Sequence, residues 1–194
     1  YSQLVILRGE SGIGRTRLAA EFLAWLSAEG AEVLQGSAFE SGSLIPFQPL
    51  VEAIRSVFER GNTPRGLLGE AWLAPLATLL PELQNHIPPD LPAALRQEEA
   101  GRRTQLFETV VRLTLALAER APLVLFVDDL QWADRATLDL LQYAARRWRE
   151  SAARIILLVS LRSEGLRPFA HSRQASLAEW LAQVEQMLEP LHLD

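Results

Sequence analysis

Three stretches of the chain are apolar without a break: Leu4-Val5-Ile6-Leu7, Leu123-Val124-Leu125-Phe126-Val127 and Ile155-Ile156-Leu157-Leu158-Val159. An unbroken apolar run of this length, ended by a turn or a charged pair, suits a strand buried on both faces. Glu32 to Ser37 reads as a further short strand, and Leu191-His192-Leu193 as the start of a last one. Between these runs the period changes to that of a helix. Leu18, Phe22, Trp25 and Leu26 share a helical face ahead of a stop at Gly30, and Leu50, Ile54, Val57 and Phe58 share another, closed by Gly61-Asn62. Spacing through Leu106, Val110, Leu113 and Leu117 predicts a helix over 96–120, which Pro122 ends. Leu138, Leu141, Ala145 and Trp148 predict the next, and 176–188 the last.

Residues 62–93 follow neither period. Pro64, Pro75, Pro81, Pro88, Pro89 and Pro92 interrupt any long element, while Leu and Ala fill the gaps. Short helices packed on the domain are expected there, as an insertion. Buried strands alternating with amphipathic helices predict an α/β fold with a parallel sheet flanked by helices on both faces. The 194 residues suffice for one domain, 1–194, and not comfortably for two. Tyr1 leads straight into an apolar run, so the expectation is a domain excised from a longer protein.

Composition narrows the class. There is no Cys, which removes disulfides, thiolate metal sites and Cys nucleophiles and fits a reducing, cytoplasmic compartment. No apolar run approaches the roughly 20 residues that span a bilayer. The net charge is −5, whereas a domain that grips nucleic acid by itself carries a basic surplus. Direct nucleic-acid binding by this fragment, and membrane binding, are therefore not expected. All 19 basic residues are Arg, and Lys is missing entirely. His86, His171 and His192 have no metal-ligand spacing.

Two constellations carry chemistry. Gly9-Glu10-Ser11-Gly12-Ile13-Gly14-Arg15-Thr16 lies between a predicted strand and a predicted helix, the context a phosphate-binding loop requires. Glycines allow positive φ, successive N–H groups then face an anion, and the helix start adds its positive end. The hydroxyl of Thr16 suits Mg²⁺. The loop pattern wants Lys where Arg15 stands, and a guanidinium is planar and forked where an ammonium is a compact point. Either the site is retired, or a general drift from Lys to Arg has reached the loop. A glycine-rich turn with no ligand is the alternative. In the second constellation, Asp128-Asp129 follow a five-residue apolar strand, where open α/β sheets place their ligands. Asp128 suits Mg²⁺, and Asp129 suits orienting or deprotonating an attacking water. A solvated acidic turn is the plainer reading. Asp134 reads as a helix N-cap. Arg162, at the end of a strand, either faces the phosphates or pairs with Glu164.

The loop from Gly9 through Arg17-Leu18 resembles the Walker A loop of STAND-type, AAA-like ATPases, and Val127-Asp128-Asp129-Leu130-Gln131-Trp132-Ala133-Asp134 resembles their Walker B segment. Phe47-Gln48-Pro49-Leu50, Arg103-Thr104-Gln105-Leu106-Phe107 and Leu161-Arg162-Ser163-Glu164 resemble further segments of the same family. Such domains occur in large LuxR-type transcriptional regulators and beside nucleotide cyclases. The resemblance implies a P-loop NTPase fold with an additional strand between the Walker strands. It implies ATP/ADP and Mg²⁺ as cofactors, held by Gly9, Glu10, Ser11, Gly12, Ile13, Gly14, Arg15, Thr16 and Arg17. Thr16 and Asp128 serve the metal, Asp129 assists hydrolysis and Arg162 is the sensor.

The resemblance further implies a signalling switch with slow or conditional hydrolysis. Its partners would be nucleotide and the other domains of the same polypeptide, with a nucleotide-dependent oligomer in the full-length protein. The family continues past the position of Asp194 into a helical and winged-helix lid, which is expected to be absent here. A scaffold that binds nucleotide poorly and acts through protein contacts is the competing function.

Overall fold

A computed structural model describes residues 1–40, 46–87, 99–163 and 172–193. The side chains of 99–100 and 172–176 are outside that description. The described residues form five strands: β1 (Gln3–Gly9), β2 (Glu32–Ser37), β3 (Leu123–Asp128), β4 (Ile155–Arg162) and β5 (Glu189–Leu193). The longer helices are α1 (Arg15–Ala28), α2 (Gln48–Glu59), α5 (Glu99–Arg120), α6 (Arg135–Ser151) and α7 (Ser172–Met187). Among the described residues, two single-turn helices, α3 (Pro64–Leu67) and α4 (Leu73–Leu76), lie between α2 and α5.

All strand pairings are parallel, in the order β2-β3-β4-β1-β5. β4 thus lies between β1 and β3, the two strands that lead into the glycine loop and the Asp pair. This is the additional strand expected between them. The register sets Gly9 beside Arg162 and Ser37 beside Asp128. The C-terminal ends of four strands therefore meet at one edge of the sheet.

The three apolar runs became the central strands β1, β3 and β4 because parallel strands are covered on both sides. The cover is unequal. Leu4, Ile6, Leu125, Val127, Leu157 and Val159 join the large core with α2, α5, α6 and α7. Val5, Leu7, Val124, Phe126 and Leu158 face the other way, against Ala19 and Leu23 of α1. The phase expected for α1 is corrected here. Ala19 and Leu23 are buried, Phe22 and Leu26 flank them half-buried, and Leu18 and Trp25 are exposed. Ala19 lets the helix lie close on the sheet, and that close approach turns the larger residues outward.

Residues 64–86 fold as short helical turns, and Leu73, Leu76, Leu80 and Leu83 are buried in the large core. The expected positions of Pro88, Pro89, Pro92 and the helix start near 96 lie outside the described residues, as do Glu164, His171 and Asp194. Helix α7 begins at Ser172, four residues ahead of the expected 176.

Two local features tie the strands to their helices. Gly36 of β2 packs directly on α2, where an added Cβ would fall 1.9 Å from the carbonyl oxygen of Pro49. Asp134 caps α6, accepting from the backbone N–H of Thr137 at 2.9 Å, and also accepts the N–H of Phe47 at 3.1 Å. One carboxylate thereby fixes both the start of α6 and the approach to α2.

Candidate functional site

The loop between β1 and α1 turns on Gly12 and Gly14, at φ +83° and +102°. These are left-handed conformations that cost glycine little and most residues a great deal. Gly14 is the residue before α1, and no side chain caps that helix. Its first turn also carries no acidic residue. The N–H groups at this helix start are thus left for another acceptor. Glu10, Ser11 and Ile13 are exposed in the loop, and Ile13 is 70% exposed. Arg17 runs along the outside of α1, where its guanidinium pairs with Glu21 at 2.9 Å. Its backbone belongs to the first turn, but its side chain is directed elsewhere.

Arg15 and Thr16 face the end of β3. The Thr16 hydroxyl donates to Asp128 Oδ2 at 3.1 Å. Arg15 Nη2 lies 3.4 Å from Asp129 Oδ1. The Arg15 side chain is only 11% exposed, and its Nη1 is buried with no hydrogen-bond partner. A buried guanidinium nitrogen without an acceptor is costly, and it suits an anion with several oxygens. Arg162 completes the group, with Nη2 3.2 Å from Asp129 Oδ2. The expected alternative partner of Arg162, Glu164, is outside the described residues.

Two contributors were not anticipated. Ser160 of β4 is fully buried and links the Asp128 carboxylate to the backbone of Asp129. Its hydroxyl donates to Asp128 Oδ1 and accepts the backbone N–H of Asp129, the latter at 2.8 Å. Gln131 donates through Nε2 to Asp129 Oδ1 at 3.0 Å and accepts the Arg162 N–H on Oε1 at 3.3 Å. The signal for Ser160 was in the sequence: it is the one polar residue between Ile155 and Leu161. Asp129 itself adopts φ +51°, tolerable for Asp, which presents its carboxylate to these donors.

The electrostatics favour an anionic Asp129. Burial works against its charge. Hydrogen bonds from Gln131 and Arg162, with the charges of Arg162 and Arg15, outweigh that penalty and hold its pKa below the ordinary Asp value of 3.8.

The arrangement fits a nucleoside polyphosphate and its divalent ion. Uncapped helix amides, a glycine loop and an unsatisfied buried guanidinium nitrogen suit the phosphates. A hydroxyl and a carboxylate already within 3.1 Å of each other suit a hard cation. Residues 1–159 match the family described as AAA ATPase domain. The chain belongs to that family.

Among solved structures, this AAA domain is similar to Drosophila ORC bound to GC-rich DNA and Cdc6, at 15% identity and a TM-score of 0.52. That match covers 99% of this chain and 49% of the other. A Walker-type ATPase of Pyrococcus abyssi matches at 15% identity and a TM-score of 0.47, over 92% of this chain and 43% of that one. The AAA domain therefore spans about half the length, or less, of these proteins. At 15% identity the likeness to Drosophila ORC is one of fold. No curated protein sequence matches the chain. No helix among the described residues is long and apolar enough to cross a membrane.

Proposed function

We propose that this AAA domain binds ATP and ADP with Mg²⁺ and works as a slow or conditional ATPase switch inside a longer signalling protein. The observation that carries the reading is the convergence of Arg15, Thr16, Asp128, Asp129 and Arg162 on one edge of the sheet. These five residues come from three separate segments of the chain. In this reading Gly9 to Arg17 supply backbone amides to the phosphates, and Arg15 supplies charge. Thr16 Oγ1 and Asp128 hold the metal. When bound, Mg²⁺ supplies charge neutralisation at the phosphate oxygens.

Asp129 aligns the attacking water through Oδ1 or Oδ2. The donors Gln131 and Arg162 hold this carboxylate ionised, which suits orienting a water. Arg162 reads the terminal phosphate from β4 while holding Asp129. Ser160 holds the Asp128 carboxylate and the backbone of Asp129 in place. The resemblance to STAND-type ATPases extends the reading to a cytoplasmic transcriptional regulator of the LuxR type or a cyclase-linked protein. In such a protein residues 1–194 would be the ATPase core, and other domains of the polypeptide would sense its nucleotide state.

The test is an unfolding series with ATP or ADP, with and without Mg²⁺, joined to a phosphate-release assay. The reading expects a rise in midpoint that follows nucleotide concentration, larger with Mg²⁺, and turnover that is slow. A flat midpoint at millimolar ATP would instead support a scaffold acting through protein contacts. The contact between Arg15 and Asp129, which occupies both groups without nucleotide, is the observation that favours this second reading.

A further inference from the structure

Arg15 sits in a mismatched contact. Its Nη2 reaches Asp129 Oδ1 at 3.4 Å, the longest of the three side-chain contacts that Asp129 receives. Gln131 Nε2 stands closer, at 3.0 Å, and Arg162 Nη2 at 3.2 Å. Asp129 keeps two good donors without Arg15. Arg15, by contrast, leaves Nη1 buried and unpartnered. The pair is thus unevenly satisfied: the carboxylate can release the guanidinium at small cost, and the guanidinium gains by meeting an anion with more oxygens.

We infer that Asp129 is an internal competitor for phosphate, a latch that holds Arg15 in the nucleotide-free domain. The inference rests on the proposed phosphate role of Arg15. Phosphate binding exchanges the Asp129 carboxylate for phosphate oxygens around the guanidinium. The same exchange removes one of the three donors from Asp129 and leaves Oδ1 with Gln131 alone, open to a water. Occupancy of the loop and readiness of the hydrolytic carboxylate are then one event. Arg in place of Lys matters here, because a rigid fork held by one end cannot rotate one proton to each acceptor as an ammonium does.

The test is a double-mutant cycle on the chain, read by calorimetry as the Kd of a non-hydrolysable ATP analogue with Mg²⁺, so that turnover does not enter. Asn tolerates the left-handed backbone of position 129, so Asp129→Asn suits the purpose, and Asp129→Ala serves if it does not fold. Asp129→Asn is expected to bind the analogue about three- to tenfold more tightly than wild type, the size of a partly buried ion pair released. In an Arg15→Ala background, which binds weakly, that gain disappears.

A gain of equal size in both backgrounds would mean simple repulsion between carboxylate and phosphate, and would overturn the latch. So would an unchanged or weaker Kd in Asp129→Asn, with the phosphate role of Arg15 intact if Arg15→Ala still weakens binding. Wild-type affinity in Arg15→Ala would remove that phosphate role and the latch together.

Discussion

At the scale of single residues, the site is a network in which each charged group answers another. Arg15→Lys retains the charge in a compact form that reaches phosphate without a fork. It is expected to bind nucleotide at least as tightly as wild type and to hydrolyse it on the order of tenfold faster. Phosphate release under saturating ATP checks this, and equal behaviour of Arg15→Lys and Arg15→Ala would deny Arg15 a phosphate role. Asp128→Asn removes the charge of the carboxylate that accepts from Thr16 on one oxygen and Ser160 on the other, and turns one of those oxygens into a donor. It should weaken Mg²⁺-dependent nucleotide binding about tenfold and metal-free binding far less; equal losses in both conditions would indicate misfolding.

The titration of Asp129 has a definite sign. Its folded pKa lies below the ordinary 3.8, so the ionised form is favoured in the native state. That contribution to stability is present above the ordinary value and is lost as pH falls through the folded value. Urea unfolding of wild type and Asp129→Asn should therefore differ at neutral pH and converge in acid, below about 3.8. A constant gap across that range would contradict the network.

At the scale of elements, local chemistry explains most of what the sequence made legible. Strands β1, β3 and β4 announced themselves because a parallel strand needs apolar side chains on both faces. The glycine loop and the Asp pair did so because both are contiguous. Ser160 was not recognised, since its role appears only when β4 is placed between β1 and β3. The phase of α1 was misread for a related reason. Periodicity groups Leu18, Phe22, Trp25 and Leu26 on one face, while close packing on the sheet selects Ala19 and Leu23.

Packing between elements gives two predictions. Gly36→Ala puts a methyl against the Pro49 carbonyl of α2, and backbone cannot yield as a side chain can. A loss of about 3 kcal/mol or outright misfolding is expected in denaturant titration, and a neutral result would show that β2 and α2 are further apart. Trp148 of α6 donates from Nε1 to Thr114 Oγ1 of α5 at 2.8 Å, with both groups buried. Trp148→Phe removes the donor and some volume, and should cost about 2 kcal/mol. Near-wild-type stability would mean that α5 and α6 close over the gap.

For the whole molecule, the sheet order turns scattered sequence into one edge. Arg15 and Thr16 follow β1, Asp128 and Asp129 end β3, and Arg162 ends β4, so only β4 lying between the other two lets Arg162 and Asp129 meet. That geometry could not be read from spacing, because 33 positions separate the two residues and strand order alone joins them. The most direct measurement is calorimetric titration of ATP into the chain, with Mg²⁺ and with chelator, for wild type and Arg15→Ala. One saturable site per chain, tighter with Mg²⁺ and strongly weakened in Arg15→Ala, is the predicted result. No binding heat from wild type at millimolar ATP, or an isotherm indifferent to Arg15, would contradict the account.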